Sequence, residues 1–593
     1  MRWFMKNNRE AYQTLRRETT QSPLSALLLA NRGIGAEEAE AFLHPRKEDL
    51  LDPFLFQEME IAVTYIYESL QTDTPIRIIG DYDQDGVAAS TILVKGLRAL
   101  AEGMGKNPMQ SVSYAIPDRI EDGYGLNASL VEQAAKEGIG LIITVDNGVA
   151  AFEGLEKAYE YQIPVIVTDH HEAVTVDGQV KRPPCEALLN PKFPEETYPF
   201  PGLCGAGVAF KVMQALCRYG DMPMPFFDEL IGFVALGTIC DMMDLQGENR
   251  VIVSLGLEAL SRTENPGLRA LLKLHSWDRP VTTYTAGFII GPCINSSGRL
   301  STARLGVELF LEQDEATVEA YAQELYTLNE ERKDLTKQGV EEAFARLDGK
   351  VLPSVIAEVL PDVHESVCGL IAGRVKDRYH RPTLIFTKAM AGEHLLKGSG
   401  RSIEAYDMFA SLNLHRDRYV AFGGHRMACG MTVREEDFQA LRALWNAEAN
   451  LQEKDFEPSV DFDGVLDLSS VHADALDAME TLAPYGKGNP SPLFAATHCN
   501  VLSMRLVGRQ KNVLQILLES KGARLQGVAF SGDTLLQKLA QEGGSTAEAE
   551  ICSALYGQPS ALTVDILYRP EWNEFQGKKK IQLKLADIRM SKV

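Results

Sequence analysis

The sequence has no paired cysteines. Its nine cysteines (185, 204, 217, 240, 293, 368, 429, 499 and 552) include no CxxC spacing. That excludes a zinc ribbon and leads us to expect reduced thiols in a cytoplasmic protein. No stretch approaches the ~18–20 apolar residues that a membrane span needs. The opening MRWFMKNNRE has no apolar stretch behind it, so no secretory signal is expected. There is no internal repeat and no low-complexity tract. Positive charge is scarce: 59 Lys and Arg against 82 Asp and Glu give a formal charge of −23 over 593 residues. Taken alone, that balance argues against a nucleic-acid partner, because phosphate binding needs clustered cations. What the chain does have is 45% apolar residues, enough for several buried cores and too many for intrinsic disorder.

Residues 1–50 read as a short helical lead-in. From about 51 to 311 strand-like apolar runs alternate with helical patterns: IRII (76–79), LIITV (141–145) and IPVIVT (163–168), followed by helical text such as Val87–Ala101 and Val149–Tyr161. Such alternation predicts a parallel α/β sheet. Residues 312–347 predict one long amphipathic helix, a strut between folded parts. A second, smaller α/β unit spans 348–455. After 456 the text changes to short alternating strands such as ALTVDILY (561–568) and KIQLKL (580–585), which suggest a small β-barrel.

The strongest chemical signal follows the first strand, at Asp81-Tyr82-Asp83-Gln84-Asp85-Gly86. Three carboxylates in five residues repel one another unless a cation lies among them. An EF-hand loop would need an acidic twelfth residue, which is Ile92, so that reading fails. An Asp-rich turn is the bland alternative. Recurrence argues against it: the second strand ends at Asp146-Asn147-Gly148 and the third at Asp169-His170-His171-Glu172. A fourth apolar run, FVALGTI (233–239), leads to Asp241 and is expected to be a strand of the same sheet. Ligands of open α/β sheets bind at strand carboxyl ends, so four segments converge on one edge. Oxygen ligands with one or two imidazoles suit Mn²⁺ or Mg²⁺, and six or so suffice for two ions.

DYDQDG, VDNG, TDHHE and the GTICD aspartate resemble motifs I to IV of the DHH phosphoesterase family, and the second α/β unit resembles its DHHA1 domain. Further matching stretches are IPDRIEDGYGL (116–126), GPCINSSGR (291–299), LNEERK (328–333), GSGRS (398–402), FGGHRMACG (422–430) and PYGKGNPSPLF (484–494). The ordered set, with the linker helix and a C-terminal barrel, is similar to the family's exonucleases specific for single-stranded DNA. The resemblance implies a DHH parallel-sheet domain joined by a long helix to a DHHA1 domain, followed by an OB-fold barrel. It implies that Asp83, Asp85, Asp146, His170 and Asp241 ligate two Mn²⁺ or Mg²⁺ ions. His171 would face the scissile phosphate, Asp169 would orient a neighbouring His, and Asp81 is either a further ligand or a turn residue.

For the substrate, the resemblance places Arg119 near a 5′-phosphate pocket. Asn295, Ser296, Ser297 and Arg299 offer small side chains, hydroxyls and a guanidinium suited to gripping phosphate. Many relatives carry a basic residue where Cys293 stands, and Asp244 also departs from the pattern. In the DHHA1 unit, Ser399, Arg401, Ser402 and His425 are candidates, with Arg401 and Ser399 the first choices for a terminal 5′-phosphate. Residues 364–433 and 501–593 each carry a local +4, which leaves −31 on the rest of the chain. The acidity therefore belongs elsewhere, and part of it is the metal cluster. Trp572 and Phe575 beside Lys578, Lys579 and Lys580 read as a hairpin that stacks bases and tracks a strand.

The expected function is 5′→3′ exonuclease cleavage of single-stranded DNA to mononucleotides in recombination and repair. The expected enzyme is a monomer, with a helicase and a single-strand-binding protein as partners and no membrane partner. Two alternatives stand beside it: a phosphodiesterase for short oligoribonucleotides or cyclic dinucleotides, and a DHH-fold scaffold that binds DNA without cutting. Such phosphodiesterases are generally shorter and lack the barrel, and scaffolds lose ligands, whereas every expected acidic and His position is filled here.

Overall fold

The computed structural model describes residues 1–117, 125–390, 392–508, 511–575 and 577–591. Two compact units emerge. One comprises Leu50–Met243 and Ile252–Pro458; the other comprises Met1–Asp49, Asp244–Val251 and Ser459–Val593.

The first unit is built on a five-stranded parallel sheet in the order Val112–Ala115, Ile76–Ile79, Leu141–Val145, Val165–Thr168, Ala187–Leu189. Its three central strands are buried at every residue, which is why they read as nearly continuous apolar runs, interrupted only by Arg77, Thr144 and Thr168. Helix Gln84–Gly103 follows the first of them and is itself nearly all buried. Helices Gly205–Tyr219 and Phe227–Cys240 pack against it. The run FVALGTI is therefore helical, contrary to the strand expected, and Asp241 is the C-cap of that helix. A segment that is apolar on all sides looks the same as a buried strand or a buried helix. Its continuation through FDELIGFVALGTIC gives helical length.

Helix Glu315–Leu347 runs 33 residues, close to the expected strut, and packs in turn on helices Pro266–Leu274, Gly291–Leu300 and Cys368–Tyr379. A mixed sheet follows in the order Ala421–His425, Ala428–Arg434, Leu395–Arg401, Thr383–Lys388, Ile356–Val359. Only its last pair is parallel.

In the second unit, Phe494–Val507, Val513–Ser520, Ala523–Ala529, Lys578–Met590 and Thr563–Phe575 pair in that order, and the last pairs back to the first. The result is a closed five-stranded barrel, which leaves no sheet edge. Residues 1–49 do more than lead in. Leu15, Leu28, Leu29 and Phe42 share the barrel's core, and strand Arg2–Met5 pairs in parallel with Ser459–Phe462. Arg250 is buried here too, donating to the carbonyls of Phe42, Leu482 and Ala483. Asp244, the departure from the family pattern, begins the Asp244–Val251 segment of this unit and lies 3.6 Å from Lys487. All nine cysteines are free thiols.

Candidate metal centre and substrate groove

Each acidic motif is held by backbone geometry that its own residues impose. Asp83 caps the helix that follows it: one carboxylate oxygen accepts the amides of Asp85 at 2.8 Å and Gly86 at 3.1 Å. Gly86 is required there, because a Cβ would lie 2.6 Å from the Asp81 carbonyl oxygen. Asp85 accepts the amides of Gly205 at 2.6 Å and Ala206 at 3.0 Å, at the positive end of helix Gly205–Tyr219. Asp146 adopts a left-handed φ of 61°, the kind of strained backbone that persists at functional sites. Next to it, the Asn147 side chain donates to the carbonyls of Ile79 and Val145 and accepts the Leu126 amide, which ties the ends of two strands together.

These segments converge. Ligand atoms of Asp81, Asp83 and Asp146 lie within 4.8 Å of one another, as do those of Asp85, His170 and Asp241, and those of Asp146, His170 and His171. His170 Nε2 stands 3.0 Å from Asp146, 3.6 Å from Asp241 and 3.7 Å from Asp85. Burial and the neighbouring carboxylates push the Asp146 carboxyl well above the usual range and Asp83 above it as well. Burial, then Asp85 and Asp83, raises Asp241 to about 7. Burial lowers His170 to about 4, leaving a neutral imidazole suited to ligation. Buried carboxylates this close together repel one another, and the donor set matches a hard divalent cation. Asp83, Asp85, Asp146, His170 and Asp241, the expected ligands, are all in the cluster, and Asp81 joins it.

His171 differs from His170. Its side chain is 47% exposed, and its Nδ1 lies 2.7 Å from Asp169. Burial works to lower it, but the Asp169 hydrogen bond and charge, with Asp241 and Asp81, raise it to about 9. Asp169 is itself fixed, accepting the amides of His170, His171 and Val149. Burial works against its charge, yet the hydrogen bond and charge of the His171 ring, with the amides of Val149 and His171, hold its carboxyl below the usual range.

The substrate candidates separate. Helix Gly291–Leu300 carries GPCINSSGR, whose side chains the sequence offers as a phosphate grip. Asn295 instead accepts the Gln84 amide at 2.7 Å, and the buried Ser296 and Ser297 hydroxyls donate to backbone carbonyls. Cys293 is buried between His275 at 3.3 Å and Asn329 at 3.4 Å. Arg299 donates to the Ser366 carbonyl at 2.9 Å and, with Lys397, Ser399, Gly423 and His364, lines a cavity of about 310 Å³. Arg401 is half-buried and donates to its neighbour's carbonyl, whereas Ser402 is buried on the Tyr406 carbonyl. His425 is exposed. Arg119 lies outside the described residues.

On the barrel, Trp572 turns inward and packs half-buried on the core, with Lys579 4.5 Å from its ring. Phe575 and Lys578 are backbone partners at the hairpin tip, where Lys578, Lys579 and Lys580 are exposed. A second set of cations lies on the outer wall. Cross-strand register aligns Arg505, Gln515, Val528, Lys584 and Arg569 in one row, with Lys584 5.6 Å from the ring of exposed Phe530.

Sequence reading missed the supports: Gly205, Gly237, Asn190 and the structural use of Asn295. A Cβ on Gly237 would lie 2.3 Å from Asp85, and Asn190 donates to the His171 carbonyl. The glycines of GLCGAG just before a helical pattern were the available signal. Among the described residues, no helix is long and apolar enough to cross a membrane.

Family models match the chain in three places: the DHH family N-terminal domain at residues 75–238, the DHHA1 domain at 352–450 and the RecJ OB domain at 462–587. The chain is 33% identical over 597 residues to the single-stranded-DNA-specific exonuclease RecJ of Bacillus subtilis (strain 168), covering 100% of this chain and 71% of that one. It is 31% identical over 604 residues to the protein of the same name from Escherichia coli (strain K12), covering 98% of each. Among solved structures, it resembles RecJ in complex with Mn²⁺ from Thermus thermophilus, with a TM-score of 0.80 and 25% identity. That match covers 100% of this chain and 80% of the other.

Proposed function

The chain belongs to the RecJ family of DHH phosphoesterases, and from that premise we propose that it is a metal-dependent 5′→3′ exonuclease releasing 5′-mononucleotides from single-stranded DNA. The observation that carries this reading is the cluster of Asp81, Asp83, Asp85, Asp146, His170 and Asp241, whose ligand atoms gather at the ends of the sheet strands. Asp83, Asp85, Asp146, His170 and Asp241 hold Mn²⁺ or Mg²⁺, and Asp81 supports the same set. Held by these residues, such ions would supply Lewis-acid activation of water and would offset charge on the phosphoryl oxygens.

The chain's own groups do the rest. The Asp85 carboxylate is fixed by the Gly205 and Ala206 amides, so its position does not depend on side-chain rotation. His171, protonated near neutral pH, presents positive charge to the phosphoryl oxygen or the departing 3′ oxygen, while Asp169 holds its ring. Arg299, Ser399 and Lys397 receive the terminal 5′-phosphate in their shared cavity, with Arg401 beside it on the same strand as Ser399. The barrel tracks the remaining strand through its basic hairpin and outer wall.

In the cell the enzyme would act in recombination and repair in the cytoplasm, as a monomer, behind a duplex-opening helicase and beside a single-strand-binding protein. End-labelled single-stranded DNA, duplex DNA and RNA incubated with Mn²⁺ or Mg²⁺ test the reading. Mononucleotides should appear from the 5′ end of single-stranded DNA, and release from the 3′ end or from duplex alone would overturn it.

A further inference from the structure

Tyr284 and Phe288 lie one helical turn apart, just before helix Gly291–Leu300. Both side chains face solvent, at 59% and 70% exposure. Their rings are stacked, with centroids 5.1 Å apart and planes 20° from parallel. Two large rings stacked in water are an unusual surface feature, because burial would have stabilised each of them. The backbone beneath them is also unusual. Residues Ala286–Ile290 form a π-helical turn, a rare form that is frequent at functional sites.

This turn adjoins the metal cluster. The Ala286 carbonyl accepts from the Cys240 thiol at 3.6 Å, a Cβ on Gly287 would lie 3.4 Å from Ile239, and one on Gly291 would meet the Cys240 sulfur. Cys240 directly precedes Asp241, and after Asp241 comes Met242, 63% exposed with a left-handed φ of 58°. The helix that follows the turn carries Asn295, whose side chain holds the amide of Gln84 between Asp83 and Asp85. Exposed Met242 thus follows Asp241 directly, and the turn that carries the ring pair packs on the two residues before it.

We propose that the Tyr284–Phe288 pair is a stacking platform for a nucleobase of the single-stranded substrate, on the rim of the metal centre. The proposal rests on the exonuclease reading above. Its physical logic lies in the local charge. Beside a cluster of carboxylates, a polyanionic strand gains little from most of the surrounding surface charge, and further cations placed there would compete with the metal ions. A π-face holds a base without charge and without regard to its identity. A paired base buries its faces between neighbours in a duplex, so the platform also favours unpaired strands.

The test uses the full-length protein in EDTA, with a single-stranded oligonucleotide carrying 2-aminopurine at successive positions. Wild-type protein should quench the probe at one or two positions. Phe288→Ala and the Tyr284→Ala/Phe288→Ala pair should remove that quenching and weaken binding about tenfold, the scale of one lost base stack. Phe288→Trp should restore both. Because no phosphate contact is lost, the slope of log affinity against log salt should stay the same. A changed salt slope, or quenching that survives in the double variant, would overturn the platform. So would unaltered affinity and quenching in all variants, which would assign the pair to a protein partner. If wild-type protein shows no binding to single strands at all, the exonuclease reading fails rather than the platform alone.

Discussion

The amide of Gly205 donates to the Asp85 carboxylate at 2.6 Å, while the same glycine's Cα abuts Asp146 so closely that a Cβ would stand 2.5 Å from the Asp146 Cβ. One residue without a side chain therefore sets the spacing of two carboxylates of the proposed metal centre. Gly205→Ala should force these two apart, lowering nuclease activity about 100-fold, the scale of a small misplacement at a reacting centre. The added methyl in a packed interior should also cost about 1–3 kcal/mol of stability. Steady-state kinetics with a thermal melt would show both. Full activity would mean that the helix end does not position Asp85.

Asp83→Ala and Asp146→Ala should each abolish nuclease activity while the protein remains folded. Asp146 is raised by burial and by the charges of Asp85, Asp83, Asp81 and Asp169, so it strains the metal-free fold. Asp146→Asn, which keeps the shape without the charge, should raise the metal-free melting temperature by roughly 2–4 °C, the shift that about 1 kcal/mol gives in a large domain. In saturating Mn²⁺ the order should reverse, with the wild type the more stable. A calorimetric scan of both proteins, with and without cation, checks the crossing.

The acidic cluster is legible because most of its residues follow short buried strands, where local text fixes position. Asp83, Asp146 and His170 can be placed at a sheet edge from IRII, LIITV and IPVIVT alone. Asp241 joins the cluster from the end of a helix and not from the strand that its text suggests. Its preceding run is apolar all round and carries no period to tell helix from strand. Long-range partners are invisible. Nothing near Asn295 announces that its oxygen holds Gln84, 211 residues away, and small polar residues read as a phosphate grip until those bonds are seen. Trp572 is misplaced by a related ambiguity, since a strand-end aromatic can face the core or the solvent and only register decides. The cations of the outer wall, Arg505, Lys584 and Arg569, are dispersed over three strands and form no run.

Metal binding and turnover should depend on pH from both sides. Asp241 is raised to about 7, mainly by burial and then by Asp85 and Asp83, so below that pH a proton competes with the cation. Mn²⁺ affinity measured by titration calorimetry should rise between pH 5 and about 7 as this carboxyl ionises, and Asp241→Asn should flatten that part of the rise. His171 is raised to about 9 despite burial, through Asp169, so turnover should fall on the alkaline side as this charge is lost. Asp169→Asn withdraws the charge that raises His171 and should shift that alkaline limb to lower pH. A limb that does not move would detach His171 from the rate.

The last prediction concerns the barrel, where removing the whole domain is a poor test. Leu15, Leu28, Leu29 and Phe42 would lose the core they share with it, and misfolding would imitate weak binding. Point changes on the outer wall avoid this. Lys584 is exposed and Arg569 half-buried, and the two are cross-strand partners on one face of the barrel. Each phosphate contact on a single strand contributes about 0.7 to the slope of log affinity against log salt. Lys584→Ala with Arg569→Ala should therefore lower that slope by about 1–1.5 and weaken binding of long single strands. Cleavage of very short oligonucleotides should keep its rate, because the acidic cluster is untouched. Fluorescence anisotropy over a salt series, paired with the short-substrate assay, separates the outcomes. An unchanged slope would remove the outer wall from the strand's path and leave the Lys578–Lys580 hairpin to carry it.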